Sequence, residues 1–227
     1  MRLLLVRHGQ TPHNVNGALD TAYPGAGLTP LGRSQAAAVP HALREERVTA
    51  VYASPLVRTQ LTATPLATAR GLDVVVRDGL EEISAGDLEL RRDPDAVRAY
   101  VGCLSAWIQG DLDATMPGGP TGGDFWTRYN AAIGAIASRH DEETVAVFSH
   151  GAAIRVFTTM AARLPQEVAV ELGIMNTGMA VLEGDPDAGW DLATWHAEPL
   201  GGLALEDAAA EDVTGEEISE VDEAARR

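Results

Sequence analysis

The sequence contains no lysine, and all 17 of its basic residues are arginine. A Walker A phosphate loop and a lysine Schiff base both need a lysine side chain, so the composition excludes both. Any fixed positive charge at a site for an anionic substrate must therefore come from arginine or protonated histidine. The planar guanidinium group of arginine donates paired hydrogen bonds that suit phosphate and carboxylate oxygens.

Cysteine and long apolar runs are also scarce. The single cysteine, Cys103, excludes an intrachain disulfide and a cysteine-rich metal site. No apolar run approaches the roughly 18 to 20 residues that cross a bilayer. The opening stretch MRLLLV is too short for the apolar region of a signal peptide. We therefore expect a cytoplasmic protein that has no membrane partner.

Negative charge is in excess, with a net charge of −16. This balance argues against nucleic acid as a partner, because like charges repel. Residues 201–227 hold nine acidic residues against two arginines, and therefore seven of the sixteen net negative charges. We predict that residues 201–227 form an acidic C-terminal tail, with solubility as its simplest role, after one domain at residues 1–200. The spacing of Thr214 and Glu217 would also suit the start of a short helix.

Short apolar runs rich in β-branched residues alternate with stretches of helical spacing. This alternation predicts an α/β fold, a three-layer sandwich with a mostly parallel central sheet. Helical stretches near residues 94–109 and 122–139 predict a helical lid, inserted at about 85–140 over the carboxyl edge of the strands. The predicted strands are Leu3–Val6, Val48–Ala53, Val74–Val76 and Thr144–Phe148, followed by a closing pair at Gly178–Leu182 and Trp190–Trp195.

Chemically active side chains follow four of these strands at the point where each strand ends. Ligand sites of open α/β sheets lie beyond the carboxyl ends of the strands, so we expect these side chains to share one site. They are Arg7 and His8 after the first strand, Arg58 after the second, Glu81 and Glu82 after the third, and His150 after the fourth.

Two histidines, two arginines and a carboxylate fit phosphoryl transfer through a phosphohistidine. A neutral imidazole nitrogen attacks phosphorus and divides one displacement into two easier ones. Arginines and the second histidine stabilise the charge on the transferred oxygens. The carboxylate gives a proton to the leaving oxygen and later takes one from water. A helix that begins after Gly151 would direct its positive end at the same anion.

Several blocks of the sequence, in order, resemble the histidine phosphatase superfamily, the phosphoglycerate-mutase-like proteins. The blocks are Arg7-His8-Gly9 with Thr11 and Asn14, the stretch from Leu28 to Ala36, Ser54 to Thr59, Leu80 to Ile83 with Gly86, Ser149-His150-Gly151, and Asn176-Thr177. The sequence departs from the family pattern at Gly118-Gly119-Pro120-Thr121, where many relatives carry a glutamate, and at Leu88-Glu89-Leu90. Both departures leave the identity of the substrate open.

The resemblance implies a role for each matching residue. His8 would be the nucleophile, and Arg7, Arg58 and His150 would form the phosphate pocket. Glu82 would be the acid/base, with Glu81 as the alternative. The residues implied to contact phosphate or substrate are Arg7, Gln10, Thr11, Asn14, Arg58, His150 and Gly151.

The predicted function is that of a histidine acid-type phosphatase. It would hydrolyse a small-molecule phosphomonoester without a metal ion or other cofactor. Two alternatives remain open, a phosphoglycerate mutase and a non-catalytic phosphate-binding module. The natural substrate and the oligomeric state also remain open, with a dimer among the states considered. The other four histidines are interpreted as surface or locally bonded residues, and three aromatic residues as packing of the lid: His13, His41, His140 and His196, and Trp107, Trp126 and Tyr129.

Overall fold

The computed structural model describes residues 1–215, so residues 216–227 and the predicted helix that would include Glu217 lie outside the described residues. A six-stranded sheet has the order β3-β2-β4-β1-β5-β6. Strands β1 to β4 pair in parallel, whereas β5 and β6 pair antiparallel. This topology confirms the predicted α/β fold. The strands are β1 (Arg2–Arg7), β2 (Val48–Ala53), β3 (Val74–Val76), β4 (Thr144–Ser149), β5 (Met179–Asp185) and β6 (Gly189–His196).

The helices connect the strands and cover both faces of the sheet. They are α1 (Pro12–Asn16), α2 (Pro30–Ala42), α3 (Val57–Arg70), α4 (Pro94–Ile108), α5 (Gly122–Ala137), α6 (Gly151–Ala161) and α7 (Gln166–Ala169), with short 3₁₀ turns at Gly86–Leu88 and Leu203–Leu205. Sequence signals set several of their ends. Thr29 caps α2 by accepting a hydrogen bond from the Gly32 amide, and α3 ends at Gly71 with a left-handed φ of 66°.

The central strand β1 shows why the domain has three layers. Its side chains alternate between the two faces of the sheet, and all of those from Leu3 to Val6 are fully buried. Leu4 and Val6 belong to the apolar cluster beneath α2 and α3. Leu3 and Leu5 belong to the cluster that contains residues of α4, α5 and α6. Because both faces are covered by helices, the strand is apolar along its whole length.

The inserted helices α4 and α5 pack beside α6 and reach the carboxyl edge of the sheet. Trp107 and Tyr129 are buried, and Trp126 stacks on Phe157 with ring centroids 5.8 Å apart. These aromatic residues therefore pack the insertion, as predicted, and form no open stacking surface. Arg128 of α5 donates hydrogen bonds to backbone carbonyls of the loop that contains Glu82.

The described part of the acidic tail, residues 201–215, lies against the α/β domain. Gln35 donates a side-chain hydrogen bond to the Leu205 carbonyl at 2.8 Å, and the Ile174 amide donates to the Gly215 carbonyl, also at 2.8 Å. The predicted boundary between domain and tail at residue 200 stays a prediction. A tail that served only solubility would not need these contacts with the domain. Within residues 1–215, no helix has the length and apolar character needed to cross a membrane.

Candidate active site

The ends of β1 and β4 bring the two strand-end histidines together. These strands are neighbours, with Arg7 of β1 opposite Ser149 of β4, so the residues that follow them emerge side by side. The ring centroids of His8 and His150 lie 5.3 Å apart. Both side chains are almost fully buried. The sheet thus places two imidazole groups at one edge, as the sequence predicted.

His8 is held as a neutral imidazole with one free ring nitrogen. Its Nδ1 lies 2.8 Å from the Gly9 carbonyl oxygen. A carbonyl only accepts hydrogen bonds, so Nδ1 carries the proton and Nε2 keeps its lone pair. Burial, with the positive charges of Arg58 and Arg7, holds the pKa of His8 well below its usual value of 6.5. His8 is therefore neutral at neutral pH and presents an unprotonated Nε2.

His150 is fixed by partners on both sides of its ring. Its Nε2 lies 2.7 Å from Ser54 Oγ, and its Nδ1 accepts a hydrogen bond from Arg58 Nε at 3.3 Å. Burial and the adjacent Arg58 lower the pKa of His150 well below 6.5. The acceptor role of Nδ1 assigns the ring proton to Nε2, which donates to Ser54.

Arg58 lies in the first turn of α3, directly after β2, and is 2% exposed. Its Nη2 donates to the Asp20 carbonyl oxygen at 2.8 Å, and Nη1 lies 3.4 Å from the Asp20 carboxylate. Burial lowers the pKa of Arg58 from its usual value, and Asp20 and Glu82 oppose that shift. The loop around Asp20 therefore determines where this guanidinium lies.

Glu82 is buried at the site, whereas Glu81 is not part of it. Glu82 Oε1 accepts from the amides of Ile83 at 2.8 Å and Ala153 at 2.9 Å, and Oε2 from Ala152 at 3.2 Å. Burial raises the pKa of Glu82, although these amides and Arg58 oppose the shift. Glu81 forms a salt bridge with Arg128 at 2.8 Å. The first turn of α6 is thus directed at the Glu82 carboxylate.

A small cavity of about 10 Å³ is lined by His8, Arg58 and Glu82 but not by His150 or Arg7. That volume is on the scale of one water molecule. His13 is half-buried and lines the cavity too, so its interpretation as a surface or locally bonded histidine stays a prediction. Asp20 and Thr214 also line it, and sequence reasoning missed both. The full lining is His8, Thr11, His13, Asn14, Ala18, Asp20, Arg58, Glu82 and Thr214.

Arg7 is fully buried and is held by the acidic tail. Its Nη1 and Nη2 donate to the two carboxylate oxygens of Asp212, each at 2.6 Å. Nη1 also donates to the Ile174 carbonyl at 2.7 Å, and Nη2 to Thr214 Oγ1 at 3.0 Å. No sequence signal relates residues 205 positions apart, so this pairing could not be found without the fold.

The other residues predicted to bind phosphate or substrate do not all lie at the small cavity. Thr11 caps α1 and exchanges hydrogen bonds with Asn14, whose Nδ2 donates to Asp212 at 2.9 Å. Gln10 is not brought to the small cavity. Its Nε2 donates to Asp207 at 2.8 Å, and its side chain lines a separate cavity of about 470 Å³. Gly151 begins α6 directly after His150.

Among residues 1–215, no group of three or more histidine, cysteine, aspartate or glutamate side chains is arranged to hold a metal ion. The fixed positive charges at the site are the guanidinium groups of Arg7 and Arg58.

The fold, the paired histidines and the buried arginines define the protein class. A family profile described as histidine phosphatase superfamily (branch 1) matches residues 3–198. The chain belongs to the histidine phosphatase superfamily. This family covers both phosphatases and mutases among the relatives of the chain.

Proteins similar in sequence include a mycobacterial protein and a probable phosphoglycerate mutase. The chain is 34% identical over 224 residues to the PE-PGRS family protein PE_PGRS11 of Mycobacterium tuberculosis, covering 92% of this chain but 38% of that relative's length. It is 28% identical over 218 residues to the probable phosphoglycerate mutase GpmB of Erwinia tasmaniensis, covering 94% of this chain and 99% of that relative.

Solved structures similar in fold include two phosphatases. A mycobacterial glucosyl-3-phosphoglycerate phosphatase in complex with VO3 superposes with a TM-score of 0.73 at 27% identity, covering 87% of this chain and 99% of that chain. The alpha-ribazole phosphatase of Shigella flexneri gives a TM-score of 0.70 at 24% identity, covering 91% of this chain and 100% of that chain. At that identity, the second likeness shows the fold alone.

Proposed function

We propose that this protein hydrolyses a small phosphomonoester through a phosphohistidine on His8, without a metal ion. The hydrogen bond between His8 Nδ1 and the Gly9 carbonyl carries the proposal, because it leaves the Nε2 lone pair free. That ring shares a cavity with Arg58 and Glu82. An arginine side chain can bind phosphate oxygens, and a carboxyl group can donate a proton. The mycobacterial phosphatase at 27% identity supports the same class of reaction.

The first step would transfer the phosphoryl group to His8. The Nε2 lone pair forms a P–N bond while the ester P–O bond breaks. The leaving oxygen keeps the bonding electron pair and takes the proton of the Glu82 carboxyl group. The raised pKa of Glu82 favours that proton being present, and Arg58 stabilises the charge on the phosphoryl oxygens.

The second step would release inorganic phosphate. Water attacks phosphorus and gives one proton to the Glu82 carboxylate. The P–N bond breaks, and its electron pair returns to His8 Nε2. Glu82 is then protonated again, so the enzyme is ready for the next substrate. The backbone amides of Ala152 and Ala153 hold the carboxylate in position during this cycle.

A phosphoglycerate mutase is the second candidate, and the similarity to GpmB favours it. A mutase must hold the carboxylate of its substrate while the phosphoryl group returns to another hydroxyl. The two arginines at this site already contact Asp20 and Asp212. Arg91 and Arg92 form an adjacent basic pair in the sequence, and Arg91 contacts Asp93 at the surface. These acidic neighbours favour water over a phosphoglycerate hydroxyl as the acceptor.

Trapping the intermediate tests the chemistry directly. Wild type mixed with a ³²P-labelled phosphomonoester and quenched in base should retain label, because a phosphohistidine is stable to base and labile to acid. His8→Ala should retain none, whereas His41→Ala, which alters an exposed histidine, should label normally. Labelled His8→Ala would refute the proposal. Absence of label in every protein, despite phosphate binding, would favour the non-catalytic binding module.

Product analysis separates phosphatase from mutase. A panel of phosphorylated sugars, nucleotides and carboxylic acids should include at least one compound that releases free phosphate. Incubation with 3-phosphoglycerate should yield little 2-phosphoglycerate. Isomerisation faster than phosphate release on 3-phosphoglycerate would replace the phosphatase assignment by the mutase and leave the role of His8 unchanged.

A further inference from the structure

The segment from Asp207 to Gly215, here called the C-terminal strap, contacts three side chains predicted to bind phosphate or substrate. Asp212 accepts two hydrogen bonds from Arg7 and one from Asn14. Asp207 accepts one from Gln10 at 2.8 Å. Carboxylate and phosphate oxygens use the same donors. The carboxylates of Asp207 and Asp212 therefore take hydrogen bonds that a phosphorylated substrate would need.

The terminal nitrogens of Arg7 already have hydrogen-bond partners for all of their N–H groups. A guanidinium group has five N–H bonds, of which four belong to Nη1 and Nη2. Those two nitrogens make four hydrogen bonds, to Asp212 twice, Thr214 and the Ile174 carbonyl. The buried Nε has no hydrogen-bond partner among residues 1–215. A phosphate that needs Nη1 or Nη2 must displace the strap from Arg7.

The backbone of the strap also fills space at the site. Thr214 lines the small cavity beside His8 and Glu82. A Cβ atom at Gly151 would overlap the Thr214 carbonyl oxygen, and one at Gly215 would overlap Arg7 Nη1. The remaining cavity of about 10 Å³ suits one water molecule, and a phosphoryl group with its three oxygens is larger.

The strap contacts the apolar core through the half-buried Val213, and its other side faces a cavity. Asp207, Asp212 and Gly215 also line the cavity of about 470 Å³. The strap between Asp207 and Gly215 has no helix or strand, and its side chains are mostly exposed or half-buried. A segment with few buried contacts opens at low free-energy cost. Its departure would leave the sheet intact and would remove only the contact of Val213 with the apolar cluster that contains residues of α4, α5 and α6.

We propose that the C-terminal strap is autoinhibitory, with Asp212 occupying the phosphate donors of Arg7 and Asn14 until a phosphorylated ligand displaces it. The proposal rests on the proposed function only in assigning this pocket to phosphate. An intramolecular competitor lowers the fraction of protein that can bind, and the apparent dissociation constant rises by the inverse of that fraction. Once substrate saturates the site, the strap is displaced and kcat is unaffected.

Equilibrium binding of orthovanadate tests the proposal without any turnover. Calorimetry would compare wild type with Asp212→Asn and with Glu211→Gln, which removes the same charge from the neighbouring exposed residue. Asp212→Asn should bind vanadate at least about tenfold more tightly, equivalent to about 1.4 kcal/mol. Glu211→Gln should stay within about twofold of wild type, as an exposed charge would. If turnover is measurable, Asp212→Asn should lower KM and keep kcat.

Two binding results would overturn the proposal. Equal affinity of Asp212→Asn and wild type would show that the carboxylate does not compete. Weaker binding would make Asp212 a residue that positions Arg7 for phosphate. Neither result depends on catalysis, so a failure of the proposed phosphatase reaction stays distinguishable. Vanadate that binds to no variant would instead remove the phosphate assignment of the pocket.

Hydrogen exchange separates displacement from simple charge repulsion. The Glu211 amide of the strap donates to the Val15 carbonyl, and the Ile174 amide of the domain donates to the Gly215 carbonyl of the strap. Saturating vanadate should accelerate exchange of these two amides in wild type, because the displaced strap loses both bonds. Unchanged exchange would mean that the strap stays in place, and slower exchange would make it a lid that closes on the ligand. Either result would overturn autoinhibition.

Discussion

Arg58 donates from its Nε to Nδ1 of His150 across 3.3 Å, which joins the residues that follow strands β2 and β4. The contact requires a lone pair on Nδ1, so His150 is neutral in this arrangement. Arg58 is held from the other side by the carbonyl of Asp20. The geometry of the phosphate pocket thus depends on a backbone loop as well as on the sheet.

Arg58→Lys should lower kcat/KM by about 100- to 1,000-fold, the usual cost of losing one donor to transition-state charge. Lysine keeps the charge but cannot contact both His150 and Asp20, because its ammonium is a single point of donation. Steady-state kinetics on the best substrate of the panel would measure the loss. Arg44→Lys is the matched control, since Arg44 is exposed. Near-wild-type activity in Arg58→Lys would show that charge alone suffices.

Glu82→Gln should slow substrates with poor leaving groups far more than those with good ones. An alkyl phosphate needs a proton on its leaving oxygen, whereas p-nitrophenolate leaves without one. The ratio of kcat/KM for the two substrates would be compared between wild type and variant. Glu81→Gln should keep the wild-type ratio, because Glu81 pairs with Arg128 away from the cavity. A changed ratio in Glu81→Gln alone would assign the acid to Glu81.

Stability should fall as the pH drops from about 7 to about 5.5. The pKa values of His8 and His150 lie well below 6.5 in the folded protein. The unfolded chain therefore binds protons below pH 6.5 that the folded chain does not, which favours unfolding. The raised pKa of Glu82 acts in the opposite direction. Urea midpoints should decline less steeply with acid in His8→Gln, and the slope for the exposed-site control His41→Gln should match wild type.

Tyr129→Phe should destabilise the domain by about 1 kcal/mol, the net contribution of one buried hydrogen bond. The Tyr129 hydroxyl donates to Ser149 Oγ at 3.0 Å, and Ser149 Oγ donates to the Leu80 carbonyl at 2.8 Å. These two consecutive hydrogen bonds connect α5 and β4 to the loop before Glu82. Urea denaturation would measure the change, with Tyr23→Phe as an exposed control. Equal stability of Tyr129→Phe and wild type would show that the Tyr129 hydrogen bond does not stabilise the domain.

EDTA should leave the phosphatase activity unchanged, whereas inorganic phosphate and vanadate should inhibit it. The reason is that Arg58, Arg7 and the histidines supply the positive charge and hydrogen bonds that a metal ion would otherwise provide. The measurement is initial rate before and after dialysis against EDTA. Activity that disappears and returns only with an added divalent ion would contradict the expected metal independence.

The sequence predicted the four parallel strands and their order along the chain, because apolar periodicity and glycine or proline signals are local. It also predicted that His8, Arg58, Glu82 and His150 would meet, since parallel strands end at one edge. The choice between Glu81 and Glu82 rested on resemblance alone. The structure adds burial to that choice, with Glu82 enclosed beside His8 and Glu81 paired with Arg128.

The sequence by itself determined the types of charge that could serve an anion, namely arginine and histidine, and the strand ends at which they would lie. Only the tertiary structure decided what surrounds those charges. The contact of Asp212 with Arg7 joins residues that are distant in sequence and follow no periodic pattern, so no local rule could reveal it. Burial, which lowers the pKa of His8 and raises that of Glu82, also arises only when the layers close around the site.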